Sequence, residues 1–89
     1  MGDSLLSPYR VLDLTRGDGH FCGKILADLG ADVVKIEPPG GDPTRNIGPF
    51  YHDIPNPEHS LTWWAFNANK LGITLDIETS EGKEAFKRL

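Results

Sequence analysis

The sequence predicts an α/β fold: a βαβ-type segment built on a parallel sheet. Three observations carry that expectation. A short apolar run over residues 10–14 is followed by a glycine-bearing turn. A helical stripe then occupies residues 20–29, and a β-branched run fills residues 33–37. Two strands joined by one helix at so short a spacing form a βαβ unit, which is right-handed and pairs its strands in parallel.

In the first strand, Val11, Leu12 and Leu14 are apolar, and Pro8 stands where a strand enters. Thr15, Arg16, Gly17, Asp18 and Gly19 then make a polar turn. Phe21, Cys22, Ile25, Leu26 and Leu29 recur at helical spacing and form one apolar stripe. Asp18 is the expected N-cap, and Gly30 is the expected left-handed residue at the C-terminus. Val33, Val34 and Ile36 define the second strand, which Glu37 closes.

Residues 38–59 hold six of the seven prolines and show no period. Segments this long without a period are functional or mobile. Ile47, Phe50, Tyr51 and Ile54 are the side chains expected to pin it. Ser60 then caps a helix of about two turns carrying Trp63, Trp64 and Phe66, apolar nearly all round and therefore expected to be buried or covered. Residues 67–70 read as a turn, and 73–77 alternate as a third strand. Thr79 or Ser80 caps a last helix with Glu81 in its first turn and Lys87 and Arg88 in its last, as the helix dipole favours. Ala85, Phe86 and Leu89 begin an apolar stripe that stops at the last residue, which reads as a piece of a longer protein.

Composition narrows the function. The chain has 89 residues, 38% of them hydrophobic and 25% charged, which suits one small soluble globular unit with a modest core. A single cysteine excludes a disulfide scaffold. A net charge of −4 argues against a nucleic-acid surface. No apolar run is long enough to span a bilayer. No signal peptide is legible at the start, and Leu6 breaks the myristoylation pattern that Gly2 opens.

Candidate chemistry is thin. Gly17 and Gly19 after a strand, with Glu37 closing the next, outline a dinucleotide fingerprint, but the third glycine is missing and Asp18 would repel a pyrophosphate. An ordinary βα turn is the simpler reading. Cys22 opens a helix, where thiols are activated, yet its place on the apolar stripe reads as a buried structural cysteine. His20, His52 and His59 are too scattered for a metal site. Asp13 and Asp76, inside apolar strands, read as salt-bridge or capping partners rather than general bases.

Four stretches resemble the class III CoA-transferases, a family that includes carnitine and formyl-CoA transferases and the α-methylacyl-CoA racemases. They are residues 10–15, from Arg10 to Thr15; residues 26–37, running through Gly30, Ala31, Asp32 and Lys35 to Glu37; residues 39–45, with Gly40, Gly41, Asp42 and Arg45; and residues 67–76, with Asn67, Asn69, Lys70, Gly72 and Asp76, followed by Glu81 and Gly82. They occur in family order over nearly the whole chain from residue 8. They match only the N-terminal part of the family's longer chain.

The resemblance implies the N-terminal part of a Rossmann-like large domain, over residues 1–89, in a cytoplasmic, interlinked homodimer. It implies transfer of CoA from an acyl-CoA to a carboxylic acid through an aspartyl intermediate. The nucleophile lies beyond residue 89, so no catalytic residue is assigned here. Coenzyme A is the implied substrate and carrier, with no metal, nucleic acid or membrane. The implied CoA-binding positions are Arg16, Gly17, Asp18 and Gly19 in the first turn, Pro38 after the second strand, Arg45, Lys70, and Leu75 of the third strand. Pro38, Leu71 and Glu78 stand where the family often carries basic residues. An acyl-CoA racemase and a non-catalytic nucleotide-binding or interaction module remain the alternatives.

Overall fold

The computed structural model describes residues 5–16 and 19–89. The order of elements is β1 (Arg10–Asp13), α1 (His20–Asp28), β2 (Asp32–Glu37), two 3-10 turns (Pro43–Asn46 and Tyr51–Asp53), α2 (Leu61–Asn67), β3 (Leu71–Thr74) and α3 (Ser80–Lys87). The three strands form one parallel sheet in the order β1-β2-β3. Asp13 lies opposite Lys35, and Glu37 lies opposite Thr74. The expected α/β architecture is what forms.

α1 ends as its sequence demands. Gly30 takes φ 103°, its N–H donates to Ala27 O, and the Ala31 N–H donates to Leu26 O, each at 3.0 Å. This double closure satisfies the last carbonyls and needs a residue that tolerates positive φ. The expected Asp18 cap lies outside the described residues. Gly19 precedes the helix and supplies no side-chain cap.

Of the apolar stripe of α1, only Leu26 packs toward the core. Phe21, Ile25 and Leu29 are exposed, and the buried residues of the helix are His20, Gly23 and Ala27. Cys22 is exposed as well, which corrects the buried reading. The reason is close approach. A Cβ on Gly23 would stand 2.4 Å from Asp13 Oδ2 and 3.0 Å from Lys70 Nζ, so the helix lies against the sheet by its smallest residue. Beside it, Ala27, Ala31 and Val33 form a small core with Leu6, Val11 and Leu26 against it.

The long segment is pinned, and of the four side chains expected to do so only Phe50 is half-buried. Ile47, Tyr51 and Ile54 are exposed. Polar groups hold it instead. Asp42 caps the first 3-10 turn by accepting from the Thr44 N–H at 2.8 Å. Ser60 Oγ donates to Ile47 O at 2.7 Å, and Phe50 bridges Ser60 in antiparallel fashion. Ser60 also caps α2 by accepting from the Trp63 N–H at 3.1 Å. Within α2, Trp63 is buried while Trp64 and Phe66 are exposed.

β3 starts at Leu71, two residues before the expected strand. It can pair only where β2 runs, and β2 ends at Glu37 before Pro38, which has no N–H to continue a ladder. The last bond of the pair comes from the Leu75 N–H to Glu37 O at 2.9 Å. Thr79 caps α3, accepting from the Gly82 N–H at 3.0 Å.

Candidate functional site

The carboxyl ends of the three strands open onto a crevice of about 440 Å³. Each strand feeds it with the residues at or just after its end: Leu14 and Arg16 from β1, Ile36, Pro38 and Pro39 from β2, and residues 75–78 from β3. Open α/β sheets bind ligands in this place, outside the carboxyl ends of their strands. The volume falls in the range of small-molecule pockets. Apolar walls come from Leu14, Ile36, Pro38, Pro39, Leu75 and Ile77; charge comes from Arg16, Asp76 and Glu78.

The opposite face of the sheet carries a buried polar cluster under α1. Alternation puts Lys35 and Glu37 there, while Ile36 points toward the crevice. Lys70 Nζ donates to Asp13 Oδ2 at 2.8 Å, to His20 O at 2.9 Å and to Asn67 Oδ1 at 2.9 Å. Asp13 Oδ1 accepts from Thr15 Oγ1 at 2.6 Å and from the Thr15 N–H at 2.9 Å. Lys35 Nζ stands 3.5 Å from Asp13 Oδ1 and donates to Thr15 O. Burial works to raise the Asp13 pKa, but the Lys70 and Thr15 hydrogen bonds and the Lys35 charge outweigh it and hold the carboxyl at about 2. Burial pushes Lys35 down, against the pull of Asp13 and Asp42.

A second set continues outward from this cluster. His20 is 1% exposed, and its Nε2 lies 3.2 Å from Thr44 Oγ1 and 3.4 Å from Asp42 Oδ1. Burial, then the Lys35 charge, lowers its pKa against Asp42. Its Nδ1 has no hydrogen-bond partner among the described residues. Arg45 grips Glu37 with both arms, Nε to Oε2 at 2.6 Å and Nη2 to Oε1 at 2.7 Å. Its guanidinium lies 4.2 Å from the centre of the Trp63 ring. The Arg45 hydrogen bonds hold Glu37 below the usual carboxylate range, and Glu37 in turn raises Arg45.

The positions expected to bind CoA thus separate. Arg16, Pro38 and Leu75 meet at the crevice. Gly19 packs its bare Cα against Thr15, where a Cβ would come within 2.5 Å of Thr15 Cβ. Gly17 and Asp18 lie outside the described residues. Arg45 and Lys70 lie in the polar cluster, each with its donors engaged by a carboxylate. Leu14, Ile36, Pro39 and Ile77 also line the crevice, though nothing in the chain's composition singled them out. Their signal is positional, since each sits at or just beyond the end of a strand. Among the described residues no group of three or more His, Cys, Asp or Glu could hold a metal. No helix of the described residues is long and apolar enough to cross a membrane.

Comparison with known proteins agrees with this arrangement. Residues 6–89 match CoA-transferase family III. The chain is 41% identical over 83 residues to the succinyl-CoA:(R)-benzylsuccinate CoA-transferase subunit BbsE of Thauera aromatica, covering 93% of this chain and 20% of that one. It is 44% identical over 86 residues to the formyl-CoA:oxalate CoA-transferase of Bradyrhizobium diazoefficiens, covering 94% and 19%. The crystal structure of a CAIB/BAIF family protein from Brucella suis superposes with a TM-score of 0.80 at 37% identity, over 96% of this chain and 23% of that one. The chain thus spans about a fifth of the length of the curated relatives it matches. With motif order, parallel sheet and carboxyl-end crevice all in agreement, the chain belongs to CoA-transferase family III.

Proposed function

We propose that the chain is the N-terminal part of the Rossmann-like large domain of a CoA-transferase, and that its crevice holds part of the CoA molecule. The observation that carries this reading is the crevice itself. It lies at the carboxyl ends of parallel strands, and Arg16, Pro38 and Leu75 all line it. The reaction moves CoA from an acyl-CoA to a carboxylic acid, with an aspartyl group as covalent carrier. In that scheme the carboxylate attacks the thioester and forms a mixed anhydride with release of the CoA thiolate, which then attacks the anhydride to give an aspartyl-CoA thioester. The donor acid leaves as its carboxylate in that step. The incoming carboxylate then attacks the aspartyl thioester to form a second mixed anhydride and release CoA thiolate. The thiolate attacks the incoming acid's carbonyl to give the new CoA thioester and the free aspartate.

The carrier belongs to the part of the protein beyond residue 89. Asp13 is 4% exposed and bound by Lys70, Lys35 and Thr15, so it is a structural carboxylate. Asp76 is tied to its own loop by the Glu78 N–H at 3.0 Å. The complete protein is an interlinked cytoplasmic homodimer in this reading, and the exposed Phe21, Ile25 and Leu29 are contact surface for the remainder of it.

Isotope exchange tests the proposal. The full-length protein is given a CoA thioester and a labelled carboxylic acid, and label is followed into the thioester. Exchange is expected from the full-length protein and none from the 89-residue chain. Transfer by the 89-residue chain alone would overturn the placing of the carrier. Inversion at the acyl α-carbon without acid exchange would assign the racemase chemistry instead.

A further inference from the structure

The charge cluster under α1 is tied to the crevice through one residue, Thr15. Pairing of β1 with β2 ends at Asp13, opposite Lys35, yet the chain runs on and lines the crevice with Leu14 and Arg16. Backbone beyond the last rung of a ladder needs other partners to keep a fixed path. The buried charges supply them. The Thr15 N–H donates to Asp13 Oδ1 at 2.9 Å, and Thr15 Oγ1 donates to the same oxygen at 2.6 Å. The Thr15 carbonyl accepts from Lys35 Nζ. Every polar group of Thr15 is thus engaged by Asp13 or Lys35, both buried.

These bonds fix Arg16 from both sides. The Thr15 carbonyl belongs to the peptide bond whose nitrogen is that of Arg16. That unit is planar, so holding its oxygen sets the plane from which Arg16 departs. Alternation does the rest: Asp13 and Thr15 turn toward the cluster, while Leu14 and Arg16 turn toward the crevice. Across the turn, the Gly19 N–H donates to Arg16 O at 3.3 Å. Gly19 also lies against the Thr15 side chain, where a Cβ would come within 2.5 Å of Thr15 Cβ. Thr15 therefore braces the turn at its start and at its return. Neither Thr15 nor Lys35 lines the crevice itself.

Resting on the CoA reading above, we infer that Thr15, held by Asp13 and Lys35, is a positioning residue that aims Arg16 at the ligand of the crevice. The charge cluster then has two roles. It holds α1 and the strands together on one face of the sheet, and through Thr15 it sets the geometry of the site on the other.

The test uses the full-length protein, with coenzyme A as the probe and binding read by calorimetry. Thr15→Val keeps the β-branched shape at an exposed position and changes no charge, but it loses the Oγ1 bond to Asp13. It is expected to weaken CoA binding about fivefold or more, and Arg16→Gln about tenfold or more. Thr15→Ser retains the hydroxyl and is expected to bind within about twofold of the parent. The double variant decides the matter. A residue that acts through Arg16 has nothing left to aim once Arg16 is gone, so adding Thr15→Val to Arg16→Gln is expected to cost less than about twofold. Losses that multiply would make Thr15 a structural residue only and overturn the inference. Parent-like binding by Thr15→Val or by Arg16→Gln overturns it as well. A parent protein that binds no CoA defeats the CoA reading and the inference with it, whereas a parent that binds CoA without isotope exchange defeats the transferase reading alone.

Discussion

Lys70 Nζ stands 2.8 Å from Asp13 Oδ2, although the two residues are 57 apart in the chain. The bond ties the end of β1 to the residue that precedes β3, and the same ammonium holds His20 O at the start of α1. Three elements therefore meet on one buried charge pair, and Lys35 shares the carboxylate from the strand between them. The exposed Phe21 side of α1 follows from this. The helix approaches the sheet where the polar pair sits, so most of the apolar stripe turns outward.

Replacing Asp13 by Ala is expected to destabilise the protein by about 3–5 kcal/mol, because it leaves Lys35 and Lys70 buried without their counter-charge. Urea unfolding of the full-length protein measures the loss. A change under about 1 kcal/mol would show that the pair is not a keystone of the sheet.

Acid should act through the same carboxylate. The Asp13 pKa falls from 3.8 to about 2 on folding, so its contribution is complete above pH 3.8 and is lost as pH drops toward 2. Glu37 and Asp42 are also lowered and add with the same sign. Stability followed from pH 5 down to 2 should decline, and the decline should be shallower in Asp13→Asn. Equal slopes in the two proteins would place the acid sensitivity elsewhere.

Arg45→Lys keeps the charge and loses the planar fork that grips both Glu37 oxygens, as well as the stacking on Trp63. A cost of about 1–3 kcal/mol is expected. A double-mutant cycle with Glu37→Gln checks it, with a coupling above about 1 kcal/mol as the expected result.

Gly23→Ala would ordinarily favour a helix by up to about 1 kcal/mol. Here the new methyl would fall 2.4 Å from Asp13 Oδ2, an atom held by Lys70, so α1 must lift. Net destabilisation of about 1–3 kcal/mol is expected, read as a lower midpoint in thermal or urea unfolding. A gain in stability would mean that the helix moves freely on the sheet.

Gly82→Ala meets a harder wall. Its Cβ would lie 1.7 Å from the Asp76 carbonyl oxygen, a backbone atom that cannot swing away. Loss of α3 helicity or of its docking is expected, seen as faster amide exchange in residues 80–87 than in the parent protein.

The sequence by itself determined the kind of fold, because its signals are local. The first two strand periods, the helix periods, the Gly30 termination, and the Ser60 and Thr79 caps all act within a few residues, and they appear where the chain placed them. The family was legible for the same reason, since its motifs are short contiguous stretches. Tertiary structure decided what pairing across distance decides. It set which face of α1 is buried, exposed Cys22, held the proline-rich segment by Asp42 and Ser60 rather than by its apolar side chains, and started β3 at Leu71. It also parted Arg16, Pro38 and Leu75, at the strand ends, from Arg45 and Lys70, buried on carboxylates. A buried lysine and a solvated one look alike in a sequence. Only the position of Asp13, brought in from 57 residues away, tells them apart.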